Sequence, residues 1–257
     1  MSNIIFTPLF RPEKILWSYP DPDPATIIDR VQSKSGRKFL RSLEDIKTQH
    51  ELSVEIGPCS EEDFLKWQEL YLEMVDRKNF DKLANLEWYR SKFLEKKRVY
   101  KLFVSKHEQL LGGKIITVSE DQIVRSAFKT SAPYSFGKGG HASLGLILDY
   151  YFLDHFIKRG YKTITGGSSR NLFGIVNSVG YLCYKLRLGY KPEVEINRVN
   201  FFNDYNNLED KPFLSYLCEN KLDGLSPELH SYKIDEINEN IGSELKRLAT
   251  FKELHAS

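Results

Sequence analysis

Apolar residues follow regular spacings along much of this chain. Over 60–75 they recur at every third or fourth position, which predicts an amphipathic helix. Ser60 stands three residues before Asp63, the pattern of a capping box, and this marks the start of the helix. Similar reasoning on shorter stretches predicts helices over 35–49 and about 86–96, and a half-buried strand over 51–57.

The period then changes to two. Three runs rich in β-branched and apolar residues are joined by short polar turns, which predicts three consecutive antiparallel strands over 99–105, 110–119 and 122–132. A long apolar helix begins near Leu144 and ends near Gly160, a residue suited to a helix C-terminus. The pattern beyond it predicts a strand over 161–167, a helix over 173–189 and a strand over 192–202.

The loop between the third strand and the long helix is rich in glycine. Its sequence is PYSFGKGGHASLG, residues 133–145, with four glycines and one lysine, Lys138. Because a helix N-terminus has unpaired N–H groups and a positive dipole end, glycines there let a phosphate approach the backbone. The alternative is a tight turn that only connects strand to helix. The flanking elements favour the phosphate site.

Both ends of the chain differ from its middle. Residues 1–34 include a proline-rich stretch that predicts an irregular arm. Residues 203–257 are charged, and the pattern predicts helices near 211–221 and 234–254. We therefore expect an N-terminal arm over 1–34, a central domain over 35–202 and a C-terminal helical extension over 203–257.

Composition excludes several classes of protein. The net charge of +2 is too small to indicate a nucleic-acid-binding protein by itself. Cys59, Cys183 and Cys218 are far apart and lack metal-ligand spacing, so we expect no structural zinc, no disulfide framework and no other metal. The N-terminus lacks the pattern of a signal peptide, and the longest apolar run contains two aspartates, so we expect no membrane span and a cytoplasmic location.

Two motifs resemble the GNAT acyltransferase superfamily. The order of elements and the loop match the superfamily's proline, three residues, then Gly-Lys-Gly before a helix, here Pro133, Gly137, Lys138 and Gly139. Two departures are Phe136, where the family usually has Arg or Gln, and His141, where it has Gly or Ala, with Ala142 one place late.

The second motif lies downstream. NSVGYLCYKLRLGYKPE is similar to the family's pattern of Asn, seven residues, Tyr, then Gly and an aromatic residue, matched by Asn177, Tyr184, Gly189 and Tyr190. The Tyr-Lys pair here, the preceding GGSSRN, and SGRKFLRSLEDI upstream resemble the FemABX-like and related acyltransferase branch. Together the resemblance covers about residues 35–202.

The resemblance implies a fold and an activity. The fold is α/β (α+β), with a mixed, mostly antiparallel central sheet flanked by helices. The activity is that of an N-acyltransferase, which moves an acyl group from a thioester, acyl-CoA in the first instance, to a small-molecule or peptide amine. The implied donor contacts are Ser131, Phe136, Gly137, Lys138, Gly139, Gly140, His141, Ala142, Asn177 and Tyr184.

Individual roles also follow from the resemblance. Tyr184 would protonate the leaving thiolate as a general acid; the alternatives are that it is a core residue or that Tyr181 or Tyr190 has this role. No acid lies on the strand before the loop, so His141 is the nearest candidate base, its alternative being a helix cap. Arg170 is a candidate to bind a carboxylate or phosphate of the substrate, or is a solvated surface residue.

The identity of the donor stays open at this point. An acyl carrier protein or an aminoacyl-tRNA could replace acyl-CoA, and Phe136 and His141 weaken the case for coenzyme A specifically. A catalytically degenerate GNAT domain that acts as a binding module is a further alternative, because the third strand lacks a carboxylate.

Overall fold

The computed structural model describes residues 10–12, 15–78, 82–137, 142–169, 184–194, 199–201, 213–218, 225–231 and 250–253. The strands in chain order are β1 (Phe10–Pro12), β2 (Ile15–Ser18), β3 (Leu52–Pro58), β4 (Arg98–Lys106), β5 (Gln109–Val118), β6 (Ile123–Ser131), β7 (Thr163–Ser169), β8 (Lys191–Val194), β9 (Val199–Phe201), β10 (Phe213–Cys218), β11 (Leu225–Ser231) and β12 (Thr250–Glu253). The α-helices are α1 (Ile27–Arg30), α2 (Lys34–Arg41), α3 (Leu43–His50), α4 (Glu61–Lys78), α5 (Leu86–Leu94) and α6 (Leu144–Lys158).

The chain divides into two compact units, and the first spans Tyr19–Gly167. Its sheet has the strand order β3-β4-β5-β6-β7. Every neighbouring pair is antiparallel except β6 and β7, which are parallel. Helices α4 and α5 connect β3 to β4, and α6 connects β6 to β7. This is the mixed, mostly antiparallel sheet flanked by helices that the sequence predicts, and that part of the predicted fold class is confirmed.

Helix α4 packs on one face of this sheet. Its start is the predicted capping box: the Asp63 N–H donates to the Ser60 hydroxyl at 3.0 Å, and the Ser60 N–H donates to the Asp63 carboxylate at 3.0 Å. One side of the helix is buried, through Phe64, Trp67, Tyr71, Met74 and Val75. Each such side chain removed from water contributes about 1.5–3 kcal/mol, which is why the helix stays on the sheet.

Helix α6 packs on the opposite face. Adjacent residues of β5 show this, since a Cβ at Gly113 would lie 2.6 Å from Trp67 of α4, whereas one at Gly112 would lie 3.3 Å from Leu148 of α6. The side chain of Ser143 caps α6 by accepting from the N–H of Leu146 at 3.2 Å. After α6 the chain turns at Gly160, with φ of +85°, as the sequence predicts.

The predicted helix over 35–49 is wrong in one respect, because it is two helices. Helix α2 ends at Arg41, and Ser42, with φ of −101° and ψ of +16°, separates it from α3, which starts at Leu43. Two consecutive helices with a break let Phe39 and Leu40 of α2 and Leu43 of α3 all be buried.

The second unit comprises Met1–Ser18 and Ser168–Ser257. Within it β2 pairs antiparallel with β8, and β1 pairs antiparallel with β9. Strands β10 and β11 are antiparallel, while β11 and β12 are parallel. The N-terminal segment predicted to be irregular therefore contains two short strands, and the proline-rich stretch leads into α1 of the first unit. The predicted domain boundaries stay predictions.

The predicted C-terminal helices are wrong where the structure describes them. Residues 213–218, inside the helix expected near 211–221, form β10, and residues 250–253, inside the one expected over 234–254, form β12. The stretch FLSYLC of β10 is aromatic and apolar, and pairing with β11 outweighs a helical spacing that is weak over six residues. Residues 234–249 lie outside the described part of the chain.

Candidate active site between strands β6 and β7

The ladder between β6 and β7 covers only the first residues of β6, and the β7-side edge of the rest of β6 is termed the opening. The parallel ladder comprises three pairs, of which Arg125 with Thr165 is the last within the described residues. Beyond it β6 continues to Ser131. Gly167 of β7 has φ of +90°, and a Cβ there would lie 2.7 Å from the carbonyl oxygen of Ser126, so only glycine fits. At this point the backbone of β7 at Gly167 lies directly against the backbone of β6 at Ser126, with no side chain between them.

A β-bulge in β6 lies beside this point. Ile115 of β5 faces Phe128, but the next residue, Ile116, faces Ser126, which leaves Ala127 as the extra residue. The extra residue of a bulge stands outside the ladder and increases the local twist of its strand. The bulge therefore directs the second half of β6 away from the line of the first half, next to the opening.

The end of β6 remains fixed to β5. Ser131, a predicted donor contact, pairs with Gly112, and the N–H of Ala132 donates to the carbonyl of Leu111 at 2.8 Å. The opening is therefore on the β7 side of β6, while the β5 side holds the strand in place.

Aromatic residues hold the start of the glycine loop. The Phe136 ring makes edge-to-face contacts with three others, with centroids at 5.3 Å from Phe39, 5.1 Å from His50 and 4.9 Å from Tyr134. The Nδ1 of His50 lies 3.1 Å from the Tyr134 hydroxyl, within hydrogen-bond distance. Phe136 thus packs against α2 and α3, where the family's Arg or Gln would present a polar side chain.

The remaining loop positions lie at the two ends of a segment outside the described residues. Gly137 has φ of +91°, and its N–H donates to the Ser135 hydroxyl at 3.3 Å. Ala142 immediately precedes the capping Ser143 of α6. Predicted site residues outside the described part of the chain are Lys138, Gly139, Gly140, His141, Arg170 and Asn177, together with Tyr181, the alternative to Tyr184.

Tyr184 lies in the second unit, in a helical turn over 184–187. It is half-buried, and its carbonyl accepts from the N–H of Leu188 at 3.3 Å. Gly189 ends this turn with φ of +84°, as the sequence predicts. Tyr190, an alternative general acid, is 1% exposed, and the Lys185 ammonium lies 4.9 Å from the centre of its ring. Its burial makes Tyr190 a core residue, whereas Tyr184 is partly accessible.

A buried ionic cluster, formed by Lys114, Lys129 and Asp149, was not predicted. Lys114 of β5 and Lys129 of β6 are cross-strand neighbours. Asp149 of α6 accepts from Lys114 through Oδ1 and from Lys129 through Oδ2, the latter at 2.7 Å. The side chains of Lys114 and Asp149 are 1% and 0% exposed. Burial lowers the pKa of Lys114 to about 8. Asp149, one of the two aspartates in the longest apolar run, was the signal for this cluster in the sequence.

The cluster joins the three elements next to the candidate site. One carboxylate contacts both β5 and β6 from α6, and the Lys114 ammonium lies 4.2 Å from the centre of the Phe152 ring on the same helix. Because α6 follows the glycine loop and β6 borders the opening, these contacts fix the position of the loop's helix relative to the strand.

The described residues contain no group of three or more His, Cys, Asp or Glu side chains arranged to bind a metal ion. Nor is any helix among them long and apolar enough to cross a membrane.

Comparisons with known proteins found similarity to solved structures at low sequence identity. No family model and no curated protein matches the chain. Among solved structures, FemX is 10% identical with a TM-score of 0.49, over 70% of this chain and 59% of FemX. The C-terminal domain of a putative lysylphosphatidylglycerol synthetase from Agrobacterium fabrum is 16% identical with a TM-score of 0.48, over 72% of this chain and 59% of that one.

A tandem GNAT protein from the clavulanic acid biosynthesis pathway is 13% identical with a TM-score of 0.44, over 74% of this chain and 52% of that one. The chain thus spans less than three fifths of the length of each of these structures. The order of elements, with a helix between β6 and the parallel strand β7, is the one predicted from the sequence.

Proposed function

We propose that this chain is an N-acyltransferase that transfers an acyl group from a thioester donor, acyl-CoA, to an amine. The observation that carries the proposal is the early end of the β6–β7 ladder, with a glycine-rich sequence between β6 and the capped start of α6. An opening of this kind receives the extended arm of a thioester, and the loop receives its phosphates.

The reaction is a displacement at the thioester carbonyl. The amine attacks the carbonyl carbon, a C–N bond forms, the C–S bond breaks, and the thiolate leaves. Backbone N–H groups near the end of β6 polarise the carbonyl oxygen, the form of stabilisation that usually contributes most to acyl transfer. Tyr184 gives its proton to the thiolate, and the amine loses a proton to water or to His141.

Other residues bind the two substrates. Backbone groups of Gly137, Gly139 and Gly140 bind the donor phosphates together with Lys138, and Asn177 contacts the donor. Arg170 binds an acidic group of the acceptor, a small molecule or peptide. No metal takes part, and the protein acts in the cytoplasm.

One observation favours a different donor. Phe136 replaces a polar family residue and packs into an aromatic cluster with α2 and α3, so its ring is occupied by protein contacts. An acyl carrier protein or an aminoacyl-tRNA would take the place of coenzyme A in that case. The absence of an acid from β6, which has Arg125 and Lys129 as its charged residues, favours a degenerate binding module instead.

Coenzyme A and acetyl-CoA are expected to raise the melting temperature of the protein, because a ligand that binds only the folded state stabilises it by mass action. At a concentration of about 100 times Kd the gain is about 2.7 kcal/mol. Thermal unfolding is measured with each ligand, with adenosine as the control that lacks the pyrophosphate. A shift with an acyl carrier protein or aminoacyl-tRNA but not with coenzyme A would replace the donor proposed here.

Replacing Gly139 with Val is expected to abolish donor binding while the domain stays folded. A β-branched side chain fills the space in which the backbone must approach phosphate, and it resists a positive φ. Calorimetric titration measures the affinity, and circular dichroism checks folding. If a folded Gly139→Val protein binds donor as the wild type does, the glycines form only a turn.

A further inference from the structure

A cleft lies near the C-terminal end of α6, whereas the glycine-rich sequence precedes the N-terminal end of that helix. Its volume is about 440 Å³, within the range of small-molecule sites. Helix α3, strand β3 and helix α6 form its walls. The lining residues are Lys47, Val54, Ile56, Tyr151, Asp154, His155, Lys158 and Arg159.

The charges around this cleft do not balance. Lys47 pairs with Glu44 at 2.9 Å, and Lys158 pairs with Asp154 at 2.8 Å. Arg159 has no carboxylate within ion-pair distance among the described residues. Three cations therefore face two carboxylates, and the excess positive charge lies on Arg159.

A neighbouring histidine orients the Arg159 guanidinium. One guanidinium nitrogen donates to the Nδ1 of His155 at 2.9 Å, which leaves the imidazole proton on Nε2. Burial and the charge of Arg159 lower the pKa of His155 to about 4, so the imidazole is neutral near pH 7. The cleft therefore contains an oriented guanidinium and a neutral ring that carries an N–H donor.

The other walls of the cleft are apolar or aromatic. Val54 and Ile56 are two residues apart on β3, so they lie on one face of the strand, and both remain partly exposed. The Tyr151 hydroxyl donates to Glu44 at 2.8 Å, which fixes its ring beside them. A cleft with an apolar wall next to an oriented cation suits a ligand that has an apolar part and a negatively charged part.

We propose that this cleft binds a small oxyanion, a carboxylate or phosphate monoester, that carries an apolar or aromatic group. Arg159 binds the oxyanion, as guanidinium groups do through paired N–H donors. Val54, Ile56 and Tyr151 contact the apolar group. This site does not depend on the proposed acyltransferase activity, since it shares no residue with the opening between β6 and β7.

The test is titration of the full chain with phenyl phosphate and hexanoate, followed by two-dimensional NMR or calorimetry. We expect saturable binding of at least one probe, and weaker binding of inorganic phosphate, which lacks the apolar part. Arg159→Gln is expected to weaken binding at least about tenfold, the usual effect of losing a hydrogen bond to a charged group. Exposed Arg77 on α4 supplies the matched control, Arg77→Gln, which is expected to leave binding unchanged.

A second variant tests the apolar wall: Val54→Asp puts a negative charge beside the guanidinium and is expected to abolish binding of both probes. The proposal is overturned if wild-type protein binds neither probe at 10 mM, a concentration about ten times a 1 mM Kd. It is also overturned if folded Arg159→Gln binds as wild type does, since Arg159 would then only cap α6. Neither outcome bears on coenzyme A binding at the glycine loop.

Discussion

Replacing Asp149 with Asn is expected to destabilise the first unit by about 3–5 kcal/mol, the usual cost of removing one partner from a buried ion pair. The carboxylate holds Lys114 and Lys129, which lie opposite each other on adjacent strands. Without it two like charges face each other, and one of them is fully buried. Urea unfolding at pH 7, followed by tryptophan fluorescence, measures the loss.

Lys114→Met is the matched control for this cluster. This variant replaces the buried lysine by an apolar side chain of similar length. It leaves Asp149 paired with Lys129 at 2.7 Å. We expect a smaller loss of unfolding free energy than for Asp149→Asn, because the buried Asp149 carboxylate keeps Lys129 as a partner. Equal losses in the two variants would contradict the central role of the carboxylate.

Tyr184→Phe is expected to lower kcat about 10²–10⁴-fold, the range that general acid catalysis contributes. Donor affinity is expected to stay nearly constant, because the ring still packs and only the hydroxyl is lost. Steady-state kinetics with a saturating donor separate kcat from KM once an amine acceptor has been found.

Tyr190→Phe is the matched control for the general acid. Tyr190 is 1% exposed and packs beside Lys185, so its variant is expected to alter stability more than turnover. If Tyr190→Phe lowers kcat and Tyr184→Phe does not, the assignment of the general acid from the sequence is wrong.

The parts of the fold that could be predicted are those set by neighbours in sequence. The Ser60 capping box fixes α4 locally, and the three strands β4, β5 and β6 are joined by short turns, so their patterns suffice. The same holds for Gly160 and Gly189, whose positive φ values end a helical stretch. In the candidate site, the end of β6 and the start of α6 could be predicted for this reason.

The features that could not be predicted depend on contacts between distant segments. From the sequence, Asp149 is only a polar residue within an apolar helix. Its two partners, Lys114 and Lys129, lie on β5 and β6 and become its neighbours only in the folded chain. Strand β10 has a short apolar stretch that suits either helix or strand, and its partner β11 decides between them. The packing of Phe136 likewise depends on Phe39, which lies about a hundred positions earlier in the chain and could not be paired with it from the sequence.

The contact between Gly167 and the Ser126 carbonyl has an evolutionary consequence. Any other residue at 167 would place a Cβ 2.7 Å from that oxygen, so selection can retain glycine there without regard to the ligand. All residues have the same main-chain groups, so a substitution at Ser126 leaves the carbonyl oxygen that faces Gly167 unchanged. Loops in general tolerate substitution better than the elements that they connect. Related proteins with this architecture can therefore change their substrates through loop substitutions while the backbone contact between β6 and β7 stays the same.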